Sequence, residues 1–315
     1  MRIPPCARRP LSCIAALFLV LGLRHAEAQT LTLKFQNPSL AVTGAYDAGA
    51  GLTAAYTMTV RHRGAAASYF ITFPAGQSAD FSARRLANGA YGLDYRIYDN
   101  MTARDALKDL SANPTSSEVL SGSFPASTAG WNTQTQSFTL YVPAGQTPPA
   151  GSYADTLTLG LYEGTPSQPG ALMDSLTCTL AVTVPTSLAI SLVPRGAAFD
   201  AASTALGLDF GILSAAGAVG GDLMVRSNVP YSVLVTSANG GVLAMAGSPD
   251  TVPYVFRVDG SVVSLSAGAA QTIVSAAGYT SSGGASYLLN FTVGSLGWPA
   301  EGTYTDLLTF SVTTP

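Results

Sequence analysis

Gly302-Thr303-Tyr304-Thr305-Asp306-Leu307-Leu308-Thr309-Phe310-Ser311-Val312 is the stretch whose reading decides the fold. Side chains on a strand alternate between faces. Tyr304, Asp306, Leu308, Phe310 and Val312 therefore share one side, and Thr305, Leu307, Thr309 and Ser311 share the other. A near copy stands earlier, Gly151-Ser152-Tyr153-Ala154-Asp155-Thr156-Leu157-Thr158-Leu159-Gly160-Leu161, with Tyr153, Asp155, Leu157, Leu159 and Leu161 aligned in the same way. After the first copy the chain makes a Gly/Pro loop and lays down one more strand, Leu172–Val184. After the second copy no such strand follows. This asymmetry is the main pointer to function.

The extra strand is strongly one-sided. Leu172, Asp174, Leu176, Cys178, Leu180, Val182 and Val184 fall on one face, and all but Asp174 are apolar. Burying a large aliphatic side chain is worth about 1.5–3 kcal/mol, so this face rivals the whole net stability of a domain, ~5–15 kcal/mol. A second domain without a counterpart is expected to keep an apolar groove and an open sheet edge. Another polypeptide would fill it by strand addition. The acceptor face is Tyr304, Leu308, Phe310 and Val312. The alternative is that an internal segment such as Ala189–Val193 closes the sheet. At the other end, Leu31-Thr32-Leu33-Lys34-Phe35 already reads as a first strand. The chain is thus expected to accept a strand and not to give one, which in a head-to-tail fibre is the property of a terminal subunit.

Short alternating runs bounded by Gly, Pro, Asn and Asp predict an all-β sandwich architecture. Strands are expected near Leu31–Val42, Thr53–Arg63, Tyr69–Phe73, Tyr91–Tyr98, Thr133–Val142, Tyr153–Tyr162 and Leu172–Val184. Met101–Leu110 alone has helix formers in number and is expected to give at most a short helix. The second half repeats the signals in order. Tyr69-Phe70-Ile71-Thr72 is answered by Tyr231-Ser232-Val233-Leu234, Tyr95-Arg96-Ile97-Tyr98-Asp99 by Tyr254–Asp259, and Phe138–Val142 by Asn290–Val293. Two tandem immunoglobulin-like sandwiches follow, residues 29–185 and 186–315, the second lacking its last strand.

Residues 1–28 read as a secretory leader: Arg2, Arg8 and Arg9, an apolar run Ile14–Leu23, and Ala26-Glu27-Ala28 for cleavage. The full chain has 15 Lys and Arg against 18 Asp and Glu. Without the leader, eleven basic residues face seventeen acidic ones. Such a chain is a poor nucleic-acid ligand. Of the three cysteines only Cys178 lies beyond the leader, so it is expected to be a buried apolar side chain outside any internal disulfide. One mature histidine, His62, and no metal-ligand cluster or nucleophile–base pair argue against an enzyme, a metal or a cofactor.

The residues then carry a resemblance. Leu208-Asp209-Phe210-Gly211, the Tyr254 strand and the 302–312 block resemble the spore coat protein U-like family, subunits of archaic Csu-type chaperone–usher pili. The likeness is best in the second half. The first half shares the 151–159 block but lacks the Leu-x-Phe-Gly opening, and both lack the cysteine pair that many members carry. The resemblance implies incomplete immunoglobulin-like domains held by a periplasmic chaperone, passed out by an outer-membrane usher and completed by the donor strand of the next pilin subunit. Two-domain members resemble tip adhesins at the cell surface, which attach to abiotic or host surfaces and build biofilms. The alternative is a non-adhesive subunit of a pilus shaft or coat.

If strand 172–184 ends beside the second domain, its start lies at the far end with the loops 61–68, 123–132 and 163–171. The binding candidates there are Ala65, Ala66, Ala67, Phe124, Trp131, Pro166, Pro169, Leu172 and Met173, suited to dry contact with a hydrophobic surface. Phe124 and Trp131 have an alternative reading, turned inward as caps of the core. Arg61-His62-Arg63 reads either as an anion site or as a solvated strand end. The repeated Tyr-x-Asp is expected to be structural. Its buried carboxylate needs backbone N–H or hydroxyl donors, and the motif resembles a tyrosine corner.

Overall fold

The computed structural model describes residues 31–315; the expected leader, residues 1–28, lies outside them. Ten strands build the first half: β1 (Thr32–Phe35), β2 (Ser39–Ala45), β3 (Leu52–Gly64), β4 (Ala67–Thr72), β5 (Arg84–Asn88), β6 (Tyr91–Tyr98), β7 (Leu120–Phe124), β8 (Ser127–Val142), β9 (Gly151–Thr165) and β10 (Gln168–Val184). They order β1-β3-β8-β6-β5-β9-β10-β2, with β4 joining β7 to β9, so the sheet curls round one core. The second half adds β11 (Leu188–Val193), β12 (Ala218–Ser227), β13 (Tyr231–Ser237), β14 (Val242–Met245), β15 (Thr251–Val258), β16 (Ser261–Val263), β17 (Gln271–Ala276), β18 (Ala285–Val293), β19 (Tyr304–Thr305) and β20 (Leu308–Thr313). One sheet runs β11-β12-β18-β15-β14-β19 and the other β17-β13-β20.

The two halves are the same construction. β1-β3-β8-β6 corresponds to β11-β12-β18-β15, and β7-β4-β9 corresponds to β17-β13-β20. Each strand pair that the sequence matched occupies equivalent places: β4 and β13, β6 and β15, β8 and β18. Tandem immunoglobulin-like sandwiches are the fold. Each surrounds its own core, Tyr69, Tyr95, Phe138 and Leu180 in the first and Tyr231, Phe256, Leu289 and Phe291 in the second.

One expectation needs correction and another takes its weakest form. The first strand, read as Leu31–Val42, is broken at Gln36-Asn37-Pro38. β1 pairs antiparallel with β3, whereas β2 pairs parallel with β10 on the opposite side of the sandwich. Pro38 lacks an amide for either ladder, which suits a crossing point. Met101–Leu110, read as at most a short helix, forms no helix of its own. Asn100 Oδ1 accepts from the Thr102 and Ala103 amides at 3.0 and 2.9 Å, making a turn, and a single 3-10 turn follows at Leu110–Ala112. An asparagine that captures its own downstream amides competes with helix initiation.

One buried residue had no sequence signal. Arg84 is fully enclosed, donating to the carbonyls of Pro74 (2.9 Å), Phe81 (3.1 Å), Phe73 (3.1 Å) and Leu107 (2.6 Å). Burial lowers its guanidinium pKa to about 10. It satisfies carbonyls of loop segments that no strand pairs.

Candidate functional site

The open edge lies on β20. In the first sandwich, β9 has β4 on one side and β10 on the other. In the second, β20 has β13 on one side, and among the described residues no strand on the other. Residues 203–210, which follow β11 as β2 follows β1, form no strand. What remains between them is a groove of about 390 Å³ lined by Ile190, Leu192, Leu206, Leu208, Phe210, Leu289, Phe291 and Asp306–Phe310, among others. Ile190, Leu192, Leu206, Leu208, Leu308 and Phe310 are only half-buried in its walls, whereas the first sandwich has Leu176, Cys178, Leu180 and Val182 of β10 buried in its core.

Of the acceptor face Tyr304, Leu308, Phe310 and Val312, the structure brings Leu308 and Phe310 into the groove wall. Tyr304 and Val312 pack against the same core without lining the groove. Ala189–Val193, the alternative closing segment, falls within β11, which pairs with β12 and not with β20. Leu206 and the wall from β18 escaped the sequence reading, since only tertiary proximity unites them. Leu208 and Phe210 did carry a signal, in the Leu-x-Phe-Gly motif. Asp209 Oδ1 accepts from the Gly211 amide at 2.7 Å, and Gly211 takes φ +62°, a turn that suits glycine.

The Tyr-x-Asp motif is built twice, at equivalent places. Tyr153 Oη donates to the Pro149 carbonyl (2.8 Å) and Tyr304 Oη to the Ala300 carbonyl (2.8 Å), each four residues upstream. That is the tyrosine-corner geometry. Asp155 accepts from Tyr95 Oη (2.6 Å) and the Thr156 amide (2.8 Å). Asp306 accepts from Tyr254 Oη (2.6 Å), Ser237 Oγ (2.6 Å) and the Asn239 amide (3.0 Å). Burial, then the hydrogen bond to the carboxylate, pushes the Tyr95 and Tyr254 phenols well above their ordinary value. The pairs join β6 to β9 and β15 to the segment leading into β20.

Three turns gather at the end of the first sandwich away from the second. Gly64 faces Ser127 and Ala67 faces Phe124, which brings the β3–β4 and β7–β8 turns together. Tyr69 faces Glu163, so the β9–β10 hairpin, with Gln168 opposite Thr165, projects beside them. Ala65, Ala66 and Pro169 are exposed there, with Pro166 and Met173 partly so. Leu172 is 55% exposed and Trp131 45%. Phe124 and Ala67 are buried. Phe124 stacks between His62 (5.0 Å) and Tyr69 (5.3 Å), which takes it out of the binding surface. His62 is likewise enclosed, so Arg61-His62-Arg63 is not simply a solvated strand end. Its Nε2 lies 2.7 Å from the Ala65 carbonyl. Arg61 lies 4.7 Å over the Trp131 ring.

Residues 30–160 match the Spore Coat Protein U domain family. The match falls on the first sandwich, whereas the motif resemblance was strongest in the second. No curated protein matches the chain. Among solved structures, the CsuC–CsuE chaperone–tip adhesion subunit pre-assembly complex of Acinetobacter baumannii shows 14% identity over 90% of this chain and 99% of that one, with a TM-score of 0.42. CfaE, the adhesive subunit of CFA/I fimbria of enterotoxigenic Escherichia coli, shows 13% identity over 89% and 94%, TM-score 0.39. The CupB6 tip adhesin of Pseudomonas aeruginosa shows 11% over 89% and 94%, TM-score 0.37.

Proposed function

We propose that this chain, which carries a Spore Coat Protein U domain over residues 30–160, is a subunit of a chaperone–usher pilus that receives a donor strand in its second sandwich. The observation that carries the reading is the unpaired outer edge of β20 above the 390 Å³ apolar groove. The first sandwich shows what the groove lacks: an alternating strand antiparallel to the 151–165 strand and parallel to β2. An exposed edge with an apolar face is an aggregation site unless covered. A periplasmic chaperone would cover it before assembly, an outer-membrane usher would pass the subunit outward, and the next pilin would supply the strand at the cell surface.

Within the fibre, the chain is proposed to be the adhesive tip. Residues 32–35 are built into the first sandwich, where Leu33 and Phe35 are buried, so this segment is not a donor. The far-end surface of Ala65, Ala66, Trp131, Pro166, Pro169 and Leu172 opens to solvent, with Met173 packed partly against the core beneath it, and it suits attachment to apolar surfaces. Immunogold labelling of assembled pili tests the position: label confined to fibre ends is expected, and label along the shaft rejects it. Trp131→Ser with Leu172→Ser is expected to lower binding of pili to polystyrene without lowering pilus number. Unchanged binding rejects the adhesive surface.

A further inference from the structure

Ile212 and Trp298 are large apolar side chains left entirely in solvent, at 97% and 102% exposure. Ile212 sits in the loop between residues 204–210 and β12, and Trp298 in the loop between β18 and β19. These loops lie at one end of the second sandwich. The Ala216 amide donates to the Val293 carbonyl (3.0 Å) and the Val293 amide to the Gly217 carbonyl (2.8 Å), tying their bases together. That end is remote from the first sandwich, because β12 starts there, with Ala218 opposite Thr292, and finishes at Ser227 beside the linker.

The internal repeat says what such an end is for. The counterparts of these loops in the first sandwich are residues 46–51, between β2 and β3, and 143–150, between β8 and β9. Those two loops seat the second sandwich. Residues 46–49 and 146–148 form one wall of a cleft of about 520 Å³, and residues 226–228 and 280–282 form the other. The Ala150 amide donates to the Asn228 carbonyl at 2.9 Å, Asn228 Nδ2 donates to the Pro185 carbonyl at 2.8 Å, and Tyr91 sets its ring edge-on to Tyr279 at 5.6 Å. One sandwich's lower loops thus dock on the next sandwich's upper loops. A head-to-tail contact of this kind can repeat from subunit to subunit.

The direction of the missing strand agrees. β10 runs antiparallel to β9 and ends with Val184 opposite Gly151, at the end that meets the next sandwich. A donor strand in the same sense that precedes its own globular body leaves the groove beside Tyr304, at the Ile212 and Trp298 end, and that body then begins there. We infer that this end of the second sandwich is a body-to-body contact with the subunit whose strand fills the groove, anchored by Ile212 and Trp298. Tryptophan and aliphatic anchors of this exposure are what such interfaces bury. The inference rests on the strand-accepting reading and adds a second, separate contact to it.

The test uses assembled pili containing the full chain, with photo-reactive benzoylphenylalanine replacing either Leu307, in the groove wall, or Trp298. After irradiation the cross-linked peptides are sequenced by mass spectrometry. The Leu307 position is expected to capture an alternating apolar segment. The Trp298 position is expected to capture a folded-domain segment of the same polypeptide. Capture at Leu307, with Trp298 joined to nothing or to a different polypeptide, overturns the contact alone. Absence of capture at Leu307 overturns the strand-accepting reading and the contact with it.

Discussion

Appending a short turn and a second copy of Leu172–Val184 after Pro315 places the missing strand where the groove can take it. β20 ends at Thr313, opposite Ser232 and next to the linker side, which is where an antiparallel strand must begin. In its native place this segment turns Leu176, Cys178, Leu180, Val182 and Val184 inward, none more than 5% exposed. Five such side chains give roughly 7–15 kcal/mol gross, and the ladder along β20 adds about 0.5–1.5 kcal/mol for each hydrogen bond; together these are of the same size as the ordering of the strand at about 1–2 kcal/mol per residue. The net gain is therefore small, about 1–3 kcal/mol, and for a domain of this size raises the melting temperature by roughly 4–12 °C. Calorimetry of the full chain reads it directly, because the first sandwich supplies an internal reference transition. The control carries Leu180→Asp and Val182→Asp in the appended copy only, and should return the transition to its original position. No shift, or an equal shift from the control, refutes the claim that the groove is shaped for an alternating apolar strand.

Asp155→Ala leaves the Tyr95 hydroxyl buried without its acceptor and is expected to destabilise the first sandwich by about 3 kcal/mol or more, whereas Asp306→Ala, at a half-exposed site, should cost the second sandwich less; urea unfolding followed by domain-specific fluorescence separates the two. The Tyr95 and Tyr254 phenols stand above the ordinary value of 10.0 in the folded state. Their contribution is therefore complete below that pH and is lost as pH rises beyond it, so urea midpoints should fall above about pH 10, and Tyr254→Phe should flatten the fall in the second transition. Burial, with Asp155 nearby, pushes the Cys178 thiol up to about 12. A thiol reagent near neutral pH should leave the native protein unmodified and label Cys178 fully once the first sandwich is unfolded; fast native labelling would show that β10 does not stay seated.

Much of this architecture was legible in one dimension because strands write their faces into the sequence at period two. The alternation of β9, β10 and β20, and the paired Tyr-x-Asp blocks, each needed only local order, and the repeat between halves multiplied that signal. Even the carboxylate's need for donors followed from the cost of burying a charge, although Tyr95 and Tyr254 as its partners did not. Contacts that join distant segments were out of reach. Nothing local distinguishes Phe124, stacked between His62 and Tyr69, from Trp131 seven residues on, which stays half in solvent. Likewise Arg84 reads as a surface cation until four carbonyls from three segments close around it.

What the amino-acid sequence determined alone was the class of fold and its duplication, since short-range periodicity writes each strand and the ordered recurrence of those strands writes the repeat. Tertiary structure decided the groove's remaining walls, the crossing of the first strand at Pro38 and the exposed end that carries Ile212 and Trp298. Those depend on which backbones lie side by side, and hydrogen-bond registry between residues a hundred positions apart leaves no mark on either segment by itself.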